Sequence, residues 1–472
     1  MRGMRRARSR TLARALALMC ASACLASIVD ASAYGSRATR NQRRAQREDA
    51  GAHFRAYTWG IGGERVGRPS DPSKLPPARV ELEESVGEIV AVAASGHTAV
   101  VNERGELYTA GRNSSAGGGG HGSPPIDDSG QIGRGGDPGA LERVRGDLVG
   151  EVVTSVGCGR YHTVVSTGSG RVYAFGLNDV GQLGTHGIMG EGPKRDVICD
   201  SGGRCDGIDQ IKDALAEVGE KCIGGPACRM GEPARVKFEN ENVQIKSVVA
   251  GRYSSAAITK DGDVFVWGLN SCGDVSGHRD ELVSHPRDAA KPRRVNIKDV
   301  VSIDIGYTNM IFRTSRGAVF TCDTGFTGYT AVAVNAKVAI VQHDFANEYK
   351  AIDVAAGRCH YAVATEAGTV FTWGCQALGR EGDKMKPQPV GGDLASRSVE
   401  TVAAGEYFTL VTTDSGEIYG WGSDANGQLG VQADSSNTFH SPVQVNVGPK
   451  VGTALAVAAG YQHSVAILQQ KE

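Results

Sequence analysis

The chain has 472 residues, of which 51 are basic, 52 are acidic and 65 are glycine. The formal net charge of −1 hides an asymmetry, since residues 1–50 carry 11 arginines against 3 acidic residues and the remainder has a net charge of −9. An acidic body argues against nucleic-acid binding, because phosphate contacts need Lys and Arg to release counterions. Glycine at about twice its usual share predicts many tight turns.

Residues 1–33 have the pattern of a signal or targeting peptide. Six arginines from Arg2 to Arg14 precede an uncharged run from Ala15 to Val29, and Ala31-Ser32-Ala33 then supplies small residues that a signal peptidase accepts. This pattern favours the secretory pathway or an extracellular location. The alternatives are a mitochondrial or plastid transit peptide, because the segment is rich in Arg, Ala and Ser, and a retained anchor, although the run is shorter than the about 20 residues that span a bilayer.

Residues 34–53 carry five more arginines, and we expect them to be a disordered lead-in.

From residue 54 to residue 470 one unit recurs. Its clearest copy, Val156 to Gly184, is an apolar strand, a Gly turn, an alternating strand ending in aromatic-Gly, and a Gly-Gln-Leu-Gly turn. The copies align on seven anchor positions: His97, His162, Ser254, Asn309, His360, Phe408 and His463. A period of about 50 residues indicates the blades of a propeller.

The spacing inside each copy is constant. Eleven residues after each of the first six anchors stands an aromatic residue: Tyr108, Tyr173, Phe265, Phe320, Phe371 or Tyr419. Side chains alternate between the two faces of a strand, so one inserted residue would turn the aromatic away from the space between blades. We therefore predict that each aromatic packs against a neighbouring blade and that length varies only in the connections.

We expect strands from both ends of the sequence to form the last blade. The seventh anchor, His463, has no aromatic partner before the sequence stops at Glu472, whereas Ala56-Tyr57-Thr58-Trp59-Gly60 has the aromatic-Gly signature without an anchor. We predict an all-β fold, a seven-bladed β-propeller of four-stranded antiparallel blades, closed by the N-terminal strand.

Two insertions interrupt the repeats. Residues 114–129 contain four consecutive glycines, but no Gly-Lys-Ser/Thr follows, so we expect a surface loop rather than a phosphate cradle. Asn113, just before it, begins an Asn-Ser-Ser acceptor for glycosylation, which has meaning only in the secretory pathway.

The second insertion, residues 185–232, is the most individual part of the chain. It contains four apolar residues at the spacing of one helix face, which we take as candidates for partner binding: Ile208, Ile211, Leu215 and Val218. Four cysteines flank this short predicted helix: Cys199, Cys205, Cys222 and Cys228. Two disulfides are the first interpretation; free thiols and a four-sulfur metal site are the alternatives, although these gaps exceed the usual zinc spacing. We expect Cys158, Cys322, Cys359 and Cys375 to be small buried fillers.

Several copies resemble the repeat of the regulator of chromosome condensation. The resemblance is carried by Ala355 to His360 with Gly368 to Gly374, and by Ala403-Ala404-Gly405 with Ile418 to Gly422 and Gly427-Gln428-Leu429-Gly430. It covers residues 54–470 and implies a seven-bladed propeller. It implies no single function, because the founding member is a nucleotide exchange factor for a small GTPase and relatives are scaffolds, organelle factors or secreted inhibitors.

The repeated histidines could suggest a metal or catalytic ring, but they fall on separate blades and three blades lack them. We expect each to hydrogen-bond a backbone group in its own blade. We assign no catalytic residue, metal or cofactor, and predict a non-catalytic, monomeric propeller whose rim loops bind a protein partner, with no nucleic acid and no membrane span in the mature chain. The alternative is an exchange factor or regulator for a small GTPase, in an organelle.

Overall fold

The computed structural model describes residues 53–61, 66–68, 74–111, 113, 130–178, 181–185, 229–268, 291–307, 309–323, 340–431, 437–449 and 451–470. The targeting segment, residues 114–129 and most of the second insertion lie outside these ranges. The predicted helix there, with its apolar and cysteine candidates, therefore stays a prediction: Ile208, Ile211, Leu215, Val218, Cys199, Cys205, Cys222 and Cys228.

The described residues form seven four-stranded antiparallel sheets, one for each blade. We letter the strands of a blade A to D from the central channel outwards. Blades 1 to 3 comprise β3 (Ile89–Ala94), β4 (His97–Asn102), β5 (Leu107–Gly111), β6 (Glu142–Arg143), β7 (Val153–Cys158), β8 (His162–Thr167), β9 (Val172–Leu177), β10 (Arg229–Arg235), β11 (Ile245–Ala250), β12 (Ser254–Thr259), β13 (Val264–Gly268) and β14 (Arg293–Val295).

Blades 4 to 6 comprise β15 (Val300–Ile305), β16 (Asn309–Thr314), β17 (Val319–Asp323), β18 (Val341–His343), β19 (Ala351–Ala356), β20 (His360–Thr365), β21 (Val370–Gly374), β22 (Gln388–Pro389), β23 (Val399–Ala404), β24 (Phe408–Thr413), β25 (Ile418–Ser423) and β26 (Thr438–Gln444). A short helix, α1 (Phe345–Tyr349), precedes β19, and 3-10 turns lie at Glu84–Val86, Gly146–Leu148 and Gly392–Leu394. Among the residues that the structure describes, no helix has the length and apolar character of a membrane span.

Blade 7 takes strands from both parts of the chain. Its A and B strands are β27 (Val451–Ala459) and β28 (His463–Gln470), and its C and D strands are β1 (His53–Ile61) and β2 (Lys74–Arg79). β1 pairs with β28 from His53↔Gln470 to Gly60↔His463. The predicted closure is confirmed, and the N-terminal part supplies two strands to it rather than one.

The apolar core is divided among the junctions between blades. Within the described residues the buried apolar side chains form seven clusters, each shared by two neighbouring blades. The predicted aromatics lie in these junctions: Tyr108 packs with residues of blade 7, and Tyr419 with residues of blade 5. Their register is uniform, as in Val100↔Tyr108 and Val411↔Tyr419. Burial at each junction makes neighbouring blades depend on one another, because a single sheet leaves an apolar face exposed.

The prediction that Cys359 and Cys375 are small buried fillers was wrong. They flank the directly opposed pair His360↔Gly374, lie 5.6 Å apart between Cα atoms and form a disulfide. That separation is within the range that a disulfide requires. Cys322 is also disulfide-bonded, whereas Cys158 is buried and free.

Candidate functional site at the mouth of the central channel

The A strands of all seven blades line one central cavity of about 160 Å³. The tight turn between strands A and B of each blade lies at one end of it, which we call the A–B face. Glycines in these turns permit neighbouring blades to approach closely: a Cβ on Gly159 would lie 2.6 Å from the Gly251 carbonyl oxygen, and one on Gly357 would lie 2.7 Å from that of Gly405. Backbone bonds from Arg252 to Gly306 and from Arg358 to Glu406 also join adjacent turns.

Arginines and tyrosines of the A–B turns interleave around the mouth of the channel. We call this set the Arg–Tyr belt: Arg160, Arg252, Arg358, Tyr161, Tyr253, Tyr307, Tyr407, Tyr461 and Glu406. The Arg160 guanidinium carbon lies 5.1 Å from the ring centroid of Tyr161 and 4.5 Å from that of Tyr461. The Arg252 guanidinium carbon lies 4.9 Å from the ring centroid of Tyr253 and 3.6 Å from that of Tyr307.

Arg358 completes the pattern at 4.8 Å from the Tyr307 centroid and 5.0 Å from that of Tyr407. These distances are within the range of cation–π attraction. Each guanidinium thus lies between two rings. The stack spans blades 2 to 7.

The belt has an excess of positive charge. Its one carboxylate, Glu406, pairs with Arg358 at 2.5 Å and hydrogen-bonds Tyr461. Burial alone would lower the pKa of Arg160, but the neighbouring tyrosines and Glu406 hold it above its usual value. Burial lowers the pKa of Arg252, although a guanidinium stays protonated at any physiological pH. Burial also raises the pKa of Tyr161 and Tyr461, so their hydroxyls remain protonated.

Two carboxyl groups lie deeper in the channel wall, that of the buried Asp353 and that of the half-buried Asp304. Asp304 accepts hydrogen bonds from the Ile305 and Ala356 amides at 2.9 and 2.8 Å. Asp353 accepts one from the Val402 amide at 3.0 Å. Desolvation by burial raises the pKa of Asp304 to about 6 and that of Asp353 to about 7. Each carboxyl reaches the A strand of the following blade and so joins two blades beneath the belt.

The anchor histidines bond to the next blade, not to backbone in their own blade as predicted. His97 Nε2 lies 2.6 Å from Thr163 Oγ1, and His162 Nε2 lies 2.8 Å from Ser255 Oγ. The Thr163 hydroxyl donates its hydrogen to the Gln131 carbonyl oxygen, so it accepts from His97, which fixes the protonated ring nitrogen as Nε2. His360 and Thr409 form the same contact at 3.0 Å. The prediction failed because the anchor lies beside its own Gly turn, where the neighbouring blade is closest.

The Gly-Gln-Leu-Gly turns make a second link between blades. The Gln182 carbonyl oxygen accepts from Trp267 Nε1 of the next blade at 2.9 Å, and that of Gln428 accepts from Trp59 Nε1 at 2.8 Å. Gly184 adopts a φ of 66°, and a Cβ there would lie 2.9 Å from the Trp267 indole nitrogen. The turn therefore needs glycine both for its backbone conformation and for this contact.

The connections between strands C and D emerge at the A–B face. The Leu177 amide, at the end of β9, donates to the Tyr161 carbonyl oxygen at 2.8 Å, and the Ser423 amide donates to that of Tyr407 at 2.8 Å. Both predicted insertions belong to such connections. Asn113 is half-buried, and its Oδ1 accepts from the Ile132 amide at 3.4 Å; its glycosylation stays a prediction.

The sequence-based candidates did not include the Arg–Tyr belt. Its signal lies at the two positions before the anchor, where the copies differ in charge and shape. In blades 2 to 7 these positions hold Arg160-Tyr161, Arg252-Tyr253, Tyr307-Thr308, Arg358-Cys359, Glu406-Tyr407 and Tyr461-Gln462.

Models of the regulator of chromosome condensation (RCC1) repeat match four stretches of the sequence. One matches residues 415–467, and a second with the same description matches residues 153–182, 245–274 and 399–428. The three shorter stretches cover strands A, B and C of blades 2, 3 and 6, whereas residues 415–467 run from strand C of blade 6 into strand B of blade 7. The chain is a seven-bladed propeller that resembles the regulator of chromosome condensation repeat family.

The sequence relatives are distant. A secretion-regulating guanine nucleotide exchange factor of Bos taurus is 30% identical over 50% of this chain and 52% of its own length. The RCC1 domain-containing protein RUG3, mitochondrial, of Arabidopsis thaliana is 31% identical over 55% of this chain and 61% of its own length. The chain therefore spans about half to three fifths of the length of these curated relatives.

Solved structures match over a larger part of the chain. Prp20p of Saccharomyces cerevisiae has a TM-score of 0.64 at 17% identity and covers 89% of this chain and 92% of its own. Human WBSCR16 has a TM-score of 0.64 at 18% identity and covers 89% and 99%. At this identity the likeness concerns the fold alone.

Proposed function

We propose that this propeller is a non-catalytic protein-binding module that engages its partner with the A–B face. The observation that carries the proposal is the Arg–Tyr belt, which places three guanidinium groups and five phenol rings at one end of the channel. Arginine and tyrosine dominate the binding energy of protein interfaces. Loops and turns held by a rigid scaffold are the usual position for recognition residues.

The position of the two insertions also favours the A–B face as the binding face. Residues 114–129 and 186–228 belong in sequence to C–D connections, whose described ends lie at the A–B face. We therefore propose that the four apolar residues of the second insertion contribute to the same interface as the belt.

A GTPase regulator is the second candidate, in which the partner is a small GTPase and the A–B face promotes nucleotide release. It is supported by two relatives named secretion-regulating guanine nucleotide exchange factor, at 30% and 32% identity. Release of a fluorescent guanine nucleotide from a panel of small GTPases tests it. Faster release with this chain favours the second candidate over simple binding.

For the cellular compartment, the relative named mitochondrial supports the organelle alternative of the targeting segment. We propose an organelle location as the working assumption and the secretory pathway as its rival. Imaging of the full chain with a C-terminal tag separates them.

Crosslinking from the two faces tests the binding proposal. Met385 is 41% exposed in a C–D connection at the A–B face, and Val149 is 67% exposed at the opposite face. Replacing each with photoreactive benzoylphenylalanine gives a matched pair. We expect a discrete partner crosslink from position 385 and none from position 149. Equal crosslinking from both, or crosslinking from position 149 alone, would contradict the proposal.

A further inference from the structure

Two arginines of the belt each lie between two tyrosine rings but differ in their carboxylate partner. Arg358 lies between Tyr307 and Tyr407 and pairs with the Glu406 carboxylate. Arg160 lies in the same way between Tyr161 and Tyr461, but within the described residues no carboxylate forms a close ion pair with it, and Glu406 attracts it only from a longer distance. Glu406 thus shows how the belt holds a carboxylate, and Arg160 offers a second place of the same kind.

The donors around Arg160 point to a ligand. Arg160 is only 8% exposed and lines the central cavity. Its Nη1 has no hydrogen-bond partner among the described protein atoms, and neither has Nε of Arg252. A buried charged donor without an acceptor is costly, and an acceptor that reached it would remove that cost.

We propose that the Arg–Tyr belt binds an acidic side chain of a partner protein, with Arg160 as the main donor to its carboxylate and Arg252 as the second. This inference rests on the proposed function, because it names the chemistry of the partner at the A–B face. The guanidinium fork matches a carboxylate in charge and geometry.

Size and charge favour a single side chain over a larger ligand. A cavity of about 160 Å³ is smaller than the pockets of small-molecule ligands, which begin near about 300 Å³. A polyanion such as nucleic acid would face the acidic body of the protein, whereas one carboxylate needs only the local excess of guanidinium groups.

Short labelled peptides test the inference on the full chain. The first is Gly-Ser-Glu-Glu-Ser-Gly, the second has Gln in place of Glu, and the third has phosphoserine there. We expect the Glu peptide to bind and the Gln peptide to bind at least about tenfold more weakly, since each charged hydrogen bond contributes about one to two orders of magnitude in affinity. Equal binding of the Glu and Gln peptides would overturn the inference. Much tighter binding of the phosphoserine peptide would replace the carboxylate with a phosphate.

Variants locate the site. Arg160→Gln and Arg252→Gln should each weaken binding of the Glu peptide by about tenfold, and Arg160→Lys should weaken it less because it keeps the charge. Arg145→Gln is the control, since Arg145 is exposed at the opposite face and should leave binding unchanged. Thermal unfolding of each variant identifies any that does not fold, and Arg160→Lys and Arg252→Gln then carry the test. Unchanged binding in folded Arg160 and Arg252 variants would place the acidic ligand elsewhere.

The two proposals fail separately. A crosslink from position 385 without discrimination between the Glu and Gln peptides would leave the protein-binding function standing and remove the carboxylate site. Discrimination between the peptides without such a crosslink would leave the carboxylate site of the belt standing and remove only the partner contact near position 385.

Discussion

His463 Nε2 lies 3.0 Å from Thr98 Oγ1 and thereby joins the B strand of blade 7 to the B strand of blade 1. It is the same contact that His97, His162 and His360 make to Thr163, Ser255 and Thr409. The junction between blades 7 and 1 therefore has the same contact as the junctions between blades 1 and 2, 2 and 3, and 5 and 6. The histidine anchors therefore link neighbouring blades directly beside the A–B turns that carry the Arg–Tyr belt.

The coupling across the closure can be measured with a double-mutant cycle of His463→Phe and Thr98→Val. A phenylalanine side chain fits the anchor position, since Phe408 is the buried anchor of blade 6. Thr98→Val leaves the buried His463 Nε2 without this hydrogen-bond partner and should cost about 1–3 kcal/mol in the free energy of unfolding. In the His463→Phe background the same substitution should cost less. Additive effects would show that the contact contributes nothing to closure.

Acid should weaken the junction at His162. Burial lowers the pKa of His162 to about 3, against about 6.5 when unfolded. The unfolded chain therefore binds more protons between these values, so this group's contribution to stability falls as the pH falls from about 6.5 towards 3. We expect the parent to lose more unfolding free energy than His162→Phe between about pH 7 and pH 5. Equal losses would mean that His162 is accessible to protons in the fold.

Asp353 should show the opposite pH dependence. Burial raises its pKa to about 7, above the usual 3.8, so the stability that its neutral form contributes is present at low pH and is lost as the pH rises towards 7. Asp353→Asn keeps an acceptor for the Val402 amide without the charge. We expect it to raise the melting temperature at about pH 8 and to give no gain near pH 4. Asp383→Asn, at an exposed position, serves as the control. A gain of equal size at both pH values would point to packing rather than ionisation.

The cysteines should differ in reactivity. Burial raises the pKa of the Cys158 thiol far above its usual value, so its reactive thiolate is scarce in the folded state. We expect iodoacetamide to leave Cys158 unmodified in the native protein and to modify it after unfolding. Mass spectrometry of the non-reduced protein should also find Cys359 linked to Cys375. Rapid native labelling of Cys158, or separate alkylation of the other two, would contradict these assignments.

The propeller could be predicted from the sequence because its strongest signals are local. The eleven-residue step from His162 to Tyr173 fixes a hairpin register, and strand alternation then decides which side chains enter the junction. The closing strand was also predictable. Ala56 to Gly60 has the aromatic-Gly signature without an anchor before it, and His463 is an anchor without an aromatic after it, so the two complete one blade.

The candidate site could not be predicted in the same way. Arg160 and Tyr461 are separated by most of the chain, and only ring closure places the guanidinium 4.5 Å from that phenol centroid. Likewise, the choice of Thr163 as the partner of His97 depends on how closely two blades approach. The disulfide, in contrast, has a local signal in the sequence, because Cys359 and Cys375 flank the opposed pair His360↔Gly374 and this register brings their Cα atoms to 5.6 Å.

The central claim is that the A–B face binds a protein partner through the Arg–Tyr belt. The most direct measurement is partner crosslinking from position 385 in a double variant, Arg160→Gln with Arg252→Gln, against a matched double control, Arg145→Gln with Arg316→Gln, whose two exposed arginines lie at the opposite face. With all proteins folded, we predict that the crosslink is lost from the belt variant and retained in the control. A crosslink of equal strength in both would contradict the account.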